Sequence, residues 1–292
     1  MPVGILYESK EWSSYVLEEY IQAMGVPARL INVQEEPDPG ALLACDLVVN
    51  RVFASAVFRE HQAALRRMPG IIALLKERGI PMINPSQAHF YEISKRLSTG
   101  ALAARGFPVP KVYGAFMPMQ VSENTQMAYP CVVKPDCGGR TNCTFVIHGF
   151  QELLQCMREA PDIPFIAEEY IDPYYGFVTR IEIIDHSCPL ILKRSVTESG
   201  LSAYHLGSVY ADYADCRPEI QHTAVRAMDA LRIETGSMDI IENQSGFYII
   251  DVNSVSNASE DNIEMFGFDL MKETAAYVVK KYRELTDAEL VC

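Results

Sequence analysis

Apolar residues recur along the chain in two rhythms, and the switches between them mark its elements. Val3–Tyr7, Ala28–Val33 and Ala44–Asn50 are short apolar runs, and the stretch Ser13–Met24 between the first two has helical spacing. The continuous run ACDLVVN suits a parallel strand buried on both faces. Strands alternating with helices predict a small open α/β sheet, whose ligands bind beyond the carboxyl ends of its strands. Glu8, Ser9, Asn50 and Arg51 lie at such ends, although Arg51 reads equally well as a solvated or salt-bridged loop charge. A helix over Ile71–Arg78 leads to a short strand stopped by Asn84-Pro85. A further helix is expected from about Ala88 to Arg105, ended by Gly106 and the Pro108/Pro110 pair.

Residues 111–170 read as a smaller unit. Tyr129–Lys134 and FVIH are strands, Gln151–Arg158 is an amphipathic helix, and PFIAEEYID is a third strand. Phe177–Asp185 and Leu190–Val196 then alternate as a hairpin turning at His186–Pro189. Its cations Arg180, Lys193 and Arg194 are expected on one sheet face, a costly arrangement unless an anion or carboxylates compensate. The 197–210 segment reads as loop, Glu219–Leu231 as helix, SVSNASEDN as a polar loop and Phe268–Leu285 as a closing amphipathic helix.

The richest stretch is GSMDIIENQSGFYIIDVN, two alternating runs about a turn-rich ENQSG, which predicts an antiparallel hairpin. Asp251 and Asn253 share a strand face, and Asp239 can come alongside from the neighbouring strand. Two carboxylates and an amide oxygen suit a hard cation, magnesium or manganese, shared with phosphate oxygens. Strand-end turn chemistry is the other reading of the same residues. Gly138 and Gly139 permit a tight turn whose amides can approach phosphate, with Lys134 and Arg140 adding charge. This is not the Walker pattern, since the lysine precedes the glycines, and most such glycine pairs are turns. Lys95, alone on its helix, would ordinarily be a solvated face.

Composition narrows the picture. A chain of 292 residues is expected to hold two or three subdomains, and 49% apolar with 22% charged residues is ordinary for a globular protein. No apolar run approaches the ~18 residues of a membrane span, and MPVGILYESKEW lacks a signal-peptide pattern, so cytoplasm is the expectation. The eight cysteines form no Cys-x-x-Cys pair and are read as reduced thiols. A net charge of −13 argues against non-specific nucleic-acid or membrane binding.

In their order and spacing, INPSQAHFYEISKRL…ARGFPVPKVY, YPCVVKPDCGG, FIAEEYI, GFVTRIEII…LILKR, GSMDII and IIDVN resemble the ATP-grasp superfamily, nearest its RimK-type carboxylate–amine ligases. The resemblance covers roughly residues 80 to 285. It implies a mixed α/β fold: a small open parallel sheet over residues 1–88, then an ATP-grasp domain over 89–292, whose two α+β subdomains clasp ATP, with 111–168 as the central lid. By the resemblance, Lys95 and Lys134 contact nucleotide phosphates beside Gly138 and Gly139, and Glu168, Glu169, Tyr170 and Ile171 form the linker holding adenine. Arg180 and Arg194 match the arginines near the transferred phosphate, with Lys193 beside them as a further candidate. Asp239, Asp251 and Asn253 match the ligands of Mg2+ (or Mn2+), Asp251 standing where many relatives carry Glu.

What the resemblance implies is ligation of a carboxylate to an amine through an acyl phosphate, using ATP and an amino-acid or peptide substrate; a homodimer would be common for such ligases. A kinase, a thioester-forming ligase, or a non-catalytic nucleotide- or peptide-binding module remain alternatives. Several positions depart from the family. Val178 replaces an Asp, Leu201–Tyr204 replace a Phe-Arg-x-Asn segment, Thr141-Asn142-Cys143 replace further glycines, and Ser254-Val255-Ser256 replaces a Pro-Gly after the last metal ligand. Arg140, Lys193 or His205 would then have to substitute for the missing arginine, or the acceptor differs.

Overall fold

A computed structural model describes residues 1–122, 127–256 and 258–289. Asn257 of the expected polar loop and residues 123–126 of the smaller unit therefore lie outside it. The first sheet is parallel: β1 (Val3–Tyr7), β2 (Ala28–Asn32), β3 (Leu47–Asn50) and β4 (Met82–Ile83), in the order β2-β1-β3-β4. Helices α1 (Trp12–Ala23), α2 (Pro39–Leu43) and α3 (Gln62–Glu77) connect its strands. Alternation along β1 explains why its sequence is apolar throughout. Val3 and Ile5 pack with α1, whereas Leu6 joins Met68, Ile72 and Leu75 of α3 on the other face.

The helix expected from Ala88 to Arg105 is two helices, α4 (Ser86–Glu92) and α5 (Lys95–Ala103). Ser94 breaks it, because its hydroxyl caps α5 by accepting from the Leu97 amide. Asp136 reinforces the break, taking hydrogen bonds from the Ser94 hydroxyl at 2.9 Å and the Arg96 amide at 2.8 Å. Lys95 thus opens a helix rather than sitting inside one.

Strands β5 (Val112–Phe116), β6 (Cys131–Pro135), β7 (Phe145–Ile147) and β8 (Phe165–Glu169) form a second, antiparallel sheet, β5-β8-β6-β7, with α6 (Phe150–Glu159) on one face. The third sheet is also antiparallel: β9 (Phe177–Ile184), β10 (Ser187–Ser195), β11 (Tyr210–Asp212), β12 (Thr235–Asn243) and β13 (Gly246–Asn253), ordered β11-β10-β9-β12-β13. The β9–β10 turn falls at Asp185-His186, both left-handed with φ of 48° and 64°, and Pro189 lies within β10. Helix α7 (Pro218–Leu231) buries Ile220, Ala224, Ala227, Met228 and Leu231 against the back of this sheet, on Ile181, Ile183, Met238 and Ile240.

Two further elements have no counterpart in the expected pattern. One is β11, which starts at the last residue of the expected 197–210 loop and whose three residues pair with β10. The other is α8 (Glu260–Phe266), started by a Ser259–Asn262 capping box. Helix α9 (Leu270–Glu289) then returns to the first sheet, where Leu270, Met271, Ala275 and Val278 pack with Val16, Leu17 and Ile21 of α1. Among the described residues no helix is long and apolar enough to cross a membrane.

Candidate active site

The β12–β13 hairpin sets the geometry. Asp239 stands directly opposite Asp251, and Ser237 opposite Asn253, so both carboxylates and the amide share one face. Gly236 permits this closeness, because a Cβ there would run into the Asn253 carbonyl oxygen. The register slips after Asp239, which pairs with Asp251 while Ile240 pairs with Ile249. Ile250 is the extra residue, and its carbonyl accepts from Lys134 Nζ at 2.9 Å.

Four cations from four elements converge on this face, each against a carboxylate. Lys95 Nζ lies 2.6 Å from Asp251 Oδ1, and Lys134 Nζ lies 2.7 Å from Glu168 Oε2. Arg180 Nε is 2.8 Å from Glu182 Oε1 and its Nη1 is 3.2 Å from Asp239 Oδ1. Arg194 Nη2 is 2.6 Å from Asp239 Oδ2. Burial alone would raise the Asp239 carboxyl, but Arg194 and Arg180 outweigh it and hold it below the usual range. Burial likewise works against the Lys95 charge, and Asp251, followed by Glu92 and Glu168, reverses that effect. The carboxylates thus favour the charged forms of Lys95 and Arg180, in a partly dry site where charge acts strongly.

The linker residues divide by direction. Glu168 is buried and holds Lys134, whereas Glu169 is exposed and accepts from the Lys111 amide. Ile171 joins Val178 and Ile241, flanked by Val196, Tyr248 and Ile250, in a small apolar cluster. Val178, where the resemblance led to an expected Asp, is part of that cluster and is buried. Gly138 and Gly139 pack against the 54–58 segment; a Cβ on Gly138 would sit 2.8 Å from Phe58 Cε2. Arg140 carries the same loop onto Glu11 at 2.6 Å, which also pairs with Arg59.

Lys193 is a correction. It neighbours Arg194 on β10, so its side chain leaves the opposite face of the sheet. There its Nζ lies 3.8 Å from the Tyr213 ring centroid and 4.9 Å from that of Phe177. The expectation that three cations share a face holds for Arg180 and Arg194 alone.

Further residues complete the site. Glu182 was legible in principle, since it lies two positions beyond Arg180 on one strand and must share its face. Glu92 is fully enclosed; it accepts from the Ala54 amide at 3.2 Å and from the Ser254 amide at 2.6 Å. Asn84 spends its whole amide on the hairpin, donating to the Thr235 and Ser254 carbonyls and accepting from the Glu234 and Thr235 amides. Ser254 is thus gripped at both N–H and C=O. A proline there could not donate to Glu92, which gives the departure from Pro-Gly a physical reason.

The donor set fits a magnesium ion. Among the described residues no three His, Cys, Asp or Glu side chains gather into a metal cage. Asp239, Asp251 and the Asn253 amide instead offer the sparse oxygen set of an ion that shares its sphere with phosphate. Burial pushes Cys137 up to about 12 and Cys131 to about 11, and Cys143 is raised as well.

The model of the RimK-like ATP-grasp domain matches residues 94–278, more than half of the sequence. The chain belongs to this family. A probable alpha-L-glutamate ligase of Pasteurella multocida (strain Pm70) is 24% identical over 256 residues, 86% of this chain and 78% of the relative. Among solved structures, a RimK-domain ATP-grasp protein from Sphaerobacter thermophilus DSM 20745 superposes with a TM-score of 0.70 at 17% identity, covering 95% of this chain and 99% of the other. The ATP-grasp ligase PsnB, complexed with a minimal precursor, Mg and ADP, superposes with a TM-score of 0.64 at 15% identity, covering 96% and 98%. These structures show the ATP-grasp fold; the curated relative is named as a ligase.

Proposed function

We propose that this RimK-like protein is an ATP-dependent ligase that joins a carboxylate to an amine through an acyl phosphate, releasing ADP and phosphate. The observation that carries the reading is the convergence of Lys95, Lys134, Arg180 and Arg194 on the Asp239–Asp251 pair. The chemical difficulty of the reaction is bringing an anionic carboxylate to a polyanionic nucleotide. A site with four paired cations answers it by exchange of partners. Phosphate oxygens would take over the lysines and arginines, and Asp239, Asp251 and Asn253 are the residues that would hold the metal ion. Bound Mg2+ would supply charge neutralisation of the phosphates.

The chain's own residues do the rest. Lys95 and Lys134 hold the phosphates, and Arg180 and Arg194 meet the charge that grows on the transferred phosphoryl group. The Ile171, Val178 and Ile241 cluster offers an apolar seat for the base beside the 168–171 linker. The substrate carboxylate oxygen attacks the terminal phosphorus and ADP leaves; the amine nitrogen then attacks the acyl carbon and phosphate leaves. No side-chain nucleophile is needed. The sheet of residues 111–168 acts as a lid that keeps water from the acyl phosphate. Acceptors are amino acids or a peptide, the kinds of substrate implied by the names of the glutamate ligase and the PsnB complex.

The test is ADP and phosphate release with ATP and magnesium across a panel of carboxylate and amine pairs, with mass spectrometry of any product. Release that needs both partners supports the ligase. A stable phosphorylated product without an amine requirement would identify a kinase instead.

A further inference from the structure

After β13, where the family resemblance leads to an expected Pro-Gly, stand Ser254, Val255 and Ser256, and Ser256 is wired to the N-terminal sheet. Arg51, at the carboxyl end of β3, is 4% exposed, and among the described residues it has no carboxylate partner. Its guanidinium instead spans two neutral acceptors, donating from Nη2 to Ser13 Oγ at 2.8 Å and from Nη1 to the Ser256 carbonyl at 2.9 Å. Ser256 Oγ donates to Glu182 Oε2 at 2.6 Å, and Glu182 Oε1 accepts from Arg180 Nε at 2.8 Å. Arg180 Nη1 ends the chain on Asp239. One unbroken series of hydrogen bonds thus runs from the first turn of α1, through β3 and the segment after β13, to the carboxylate assigned to the metal.

We propose that Ser256 and Arg51 are positioning residues for Arg180, fixing the guanidinium through Glu182 so that the N-terminal sheet and the phosphoryl site keep one register. This rests on the reading that places Arg180 at the transferred phosphoryl group. The geometry requires a side-chain hydroxyl at position 256. Glu182 has two oxygens, one committed to Arg180 and the other to Ser256, so the Ser256 hydroxyl decides how the carboxylate is turned. Arg51 in turn holds the Ser256 backbone, and its planar fork reaches both acceptors at once, which a lysine head cannot do. The carboxyl end of β3 is also where an open α/β sheet presents its ligands. A substrate that shifts this edge therefore shifts Arg180.

The experiment compares the unaltered chain with Ser256→Ala and Ser256→Thr, by steady-state kinetics and by the 15N–1H signal of the Arg180 Nε–H. Ser256→Ala is expected to lower kcat on the order of 10-fold, as losing an outer partner of a metal-site group does, with KM for ATP within about twofold by the same reasoning that binding groups are untouched. The Arg180 Nε signal should move, and Ser256→Thr should restore both kcat and signal. Arg51→Lys should move the signal in the same direction. An Arg180 signal unmoved by Ser256→Ala, or a kcat loss that threonine does not restore, overturns the proposal. A signal that moves with turnover unchanged contradicts the placement of Arg180 at the transferred phosphoryl group. Near-normal turnover in Arg180→Lys would contradict that placement independently.

Discussion

His89 makes the stability of this chain depend on pH in a window that can be worked from the structure. The imidazole is 2% exposed, its Nε2 has no hydrogen-bond partner among the described residues, and its Nδ1 lies a long 3.5 Å from Asn50 Nδ2. Burial lowers its pKa to about 4, from an ordinary value of 6.5. Between those values the unfolded chain holds a proton that the folded chain refuses. Stability therefore falls as pH falls, by up to about 1.4 kcal/mol per unit, and by roughly 3 kcal/mol over the whole window. Burial raises the carboxyls of Glu8 and Glu92, which pull in the other direction. Urea unfolding of the unaltered chain and of His89→Gln, from pH 7 to pH 4, cancels those shared contributions. The difference should grow in favour of the variant by roughly 3 kcal/mol as pH falls. Parallel stability curves would refute the assignment of that slope to a buried neutral imidazole.

Other outcomes follow from the site. Lys134→Ala should lower turnover by about 100-fold or more; because it strands buried Glu168, a cost of about 3–5 kcal/mol should appear beside it in thermal melts. Lys193→Met should keep turnover within about threefold, since this cation stacks on Tyr213 behind the sheet; a 100-fold loss would return it to the catalytic face. Gly236→Ala should destabilise the chain by about 3 kcal/mol through overpacking against the Asn253 carbonyl and Met228, and weaken magnesium-dependent nucleotide binding measured by calorimetry.

What the sequence made legible were features with a local rule behind them. The alternation of SMDII and FYIID about ENQSG led to the right hairpin, and the face shared by Asp251 and Asn253 followed from strand geometry alone. The same rule separates Lys193 from Arg194, since neighbours on a strand point oppositely. The break at Ser94 is a local cap reinforced by Asp136, 42 residues away, and helical periodicity runs straight through it. Strand β11 is three residues long, Tyr210–Asp212, and gains its order from β10, which leaves little pattern in its own sequence. Glu92 and Asn84 act through backbone atoms of Ala54, Glu234, Thr235 and Ser254. Contacts of that kind leave no side-chain signature at the other end.

The central claim is that one site couples a carboxylate to an amine at the expense of ATP. The most direct measurement is product mass and phosphate release for paired amino-acid and peptide substrates with ATP and magnesium. The account predicts one ADP and one phosphate per product, with a product mass equal to the two substrates less water. Phosphate release that ignores the amine, or a product that keeps the phosphoryl group, would contradict it.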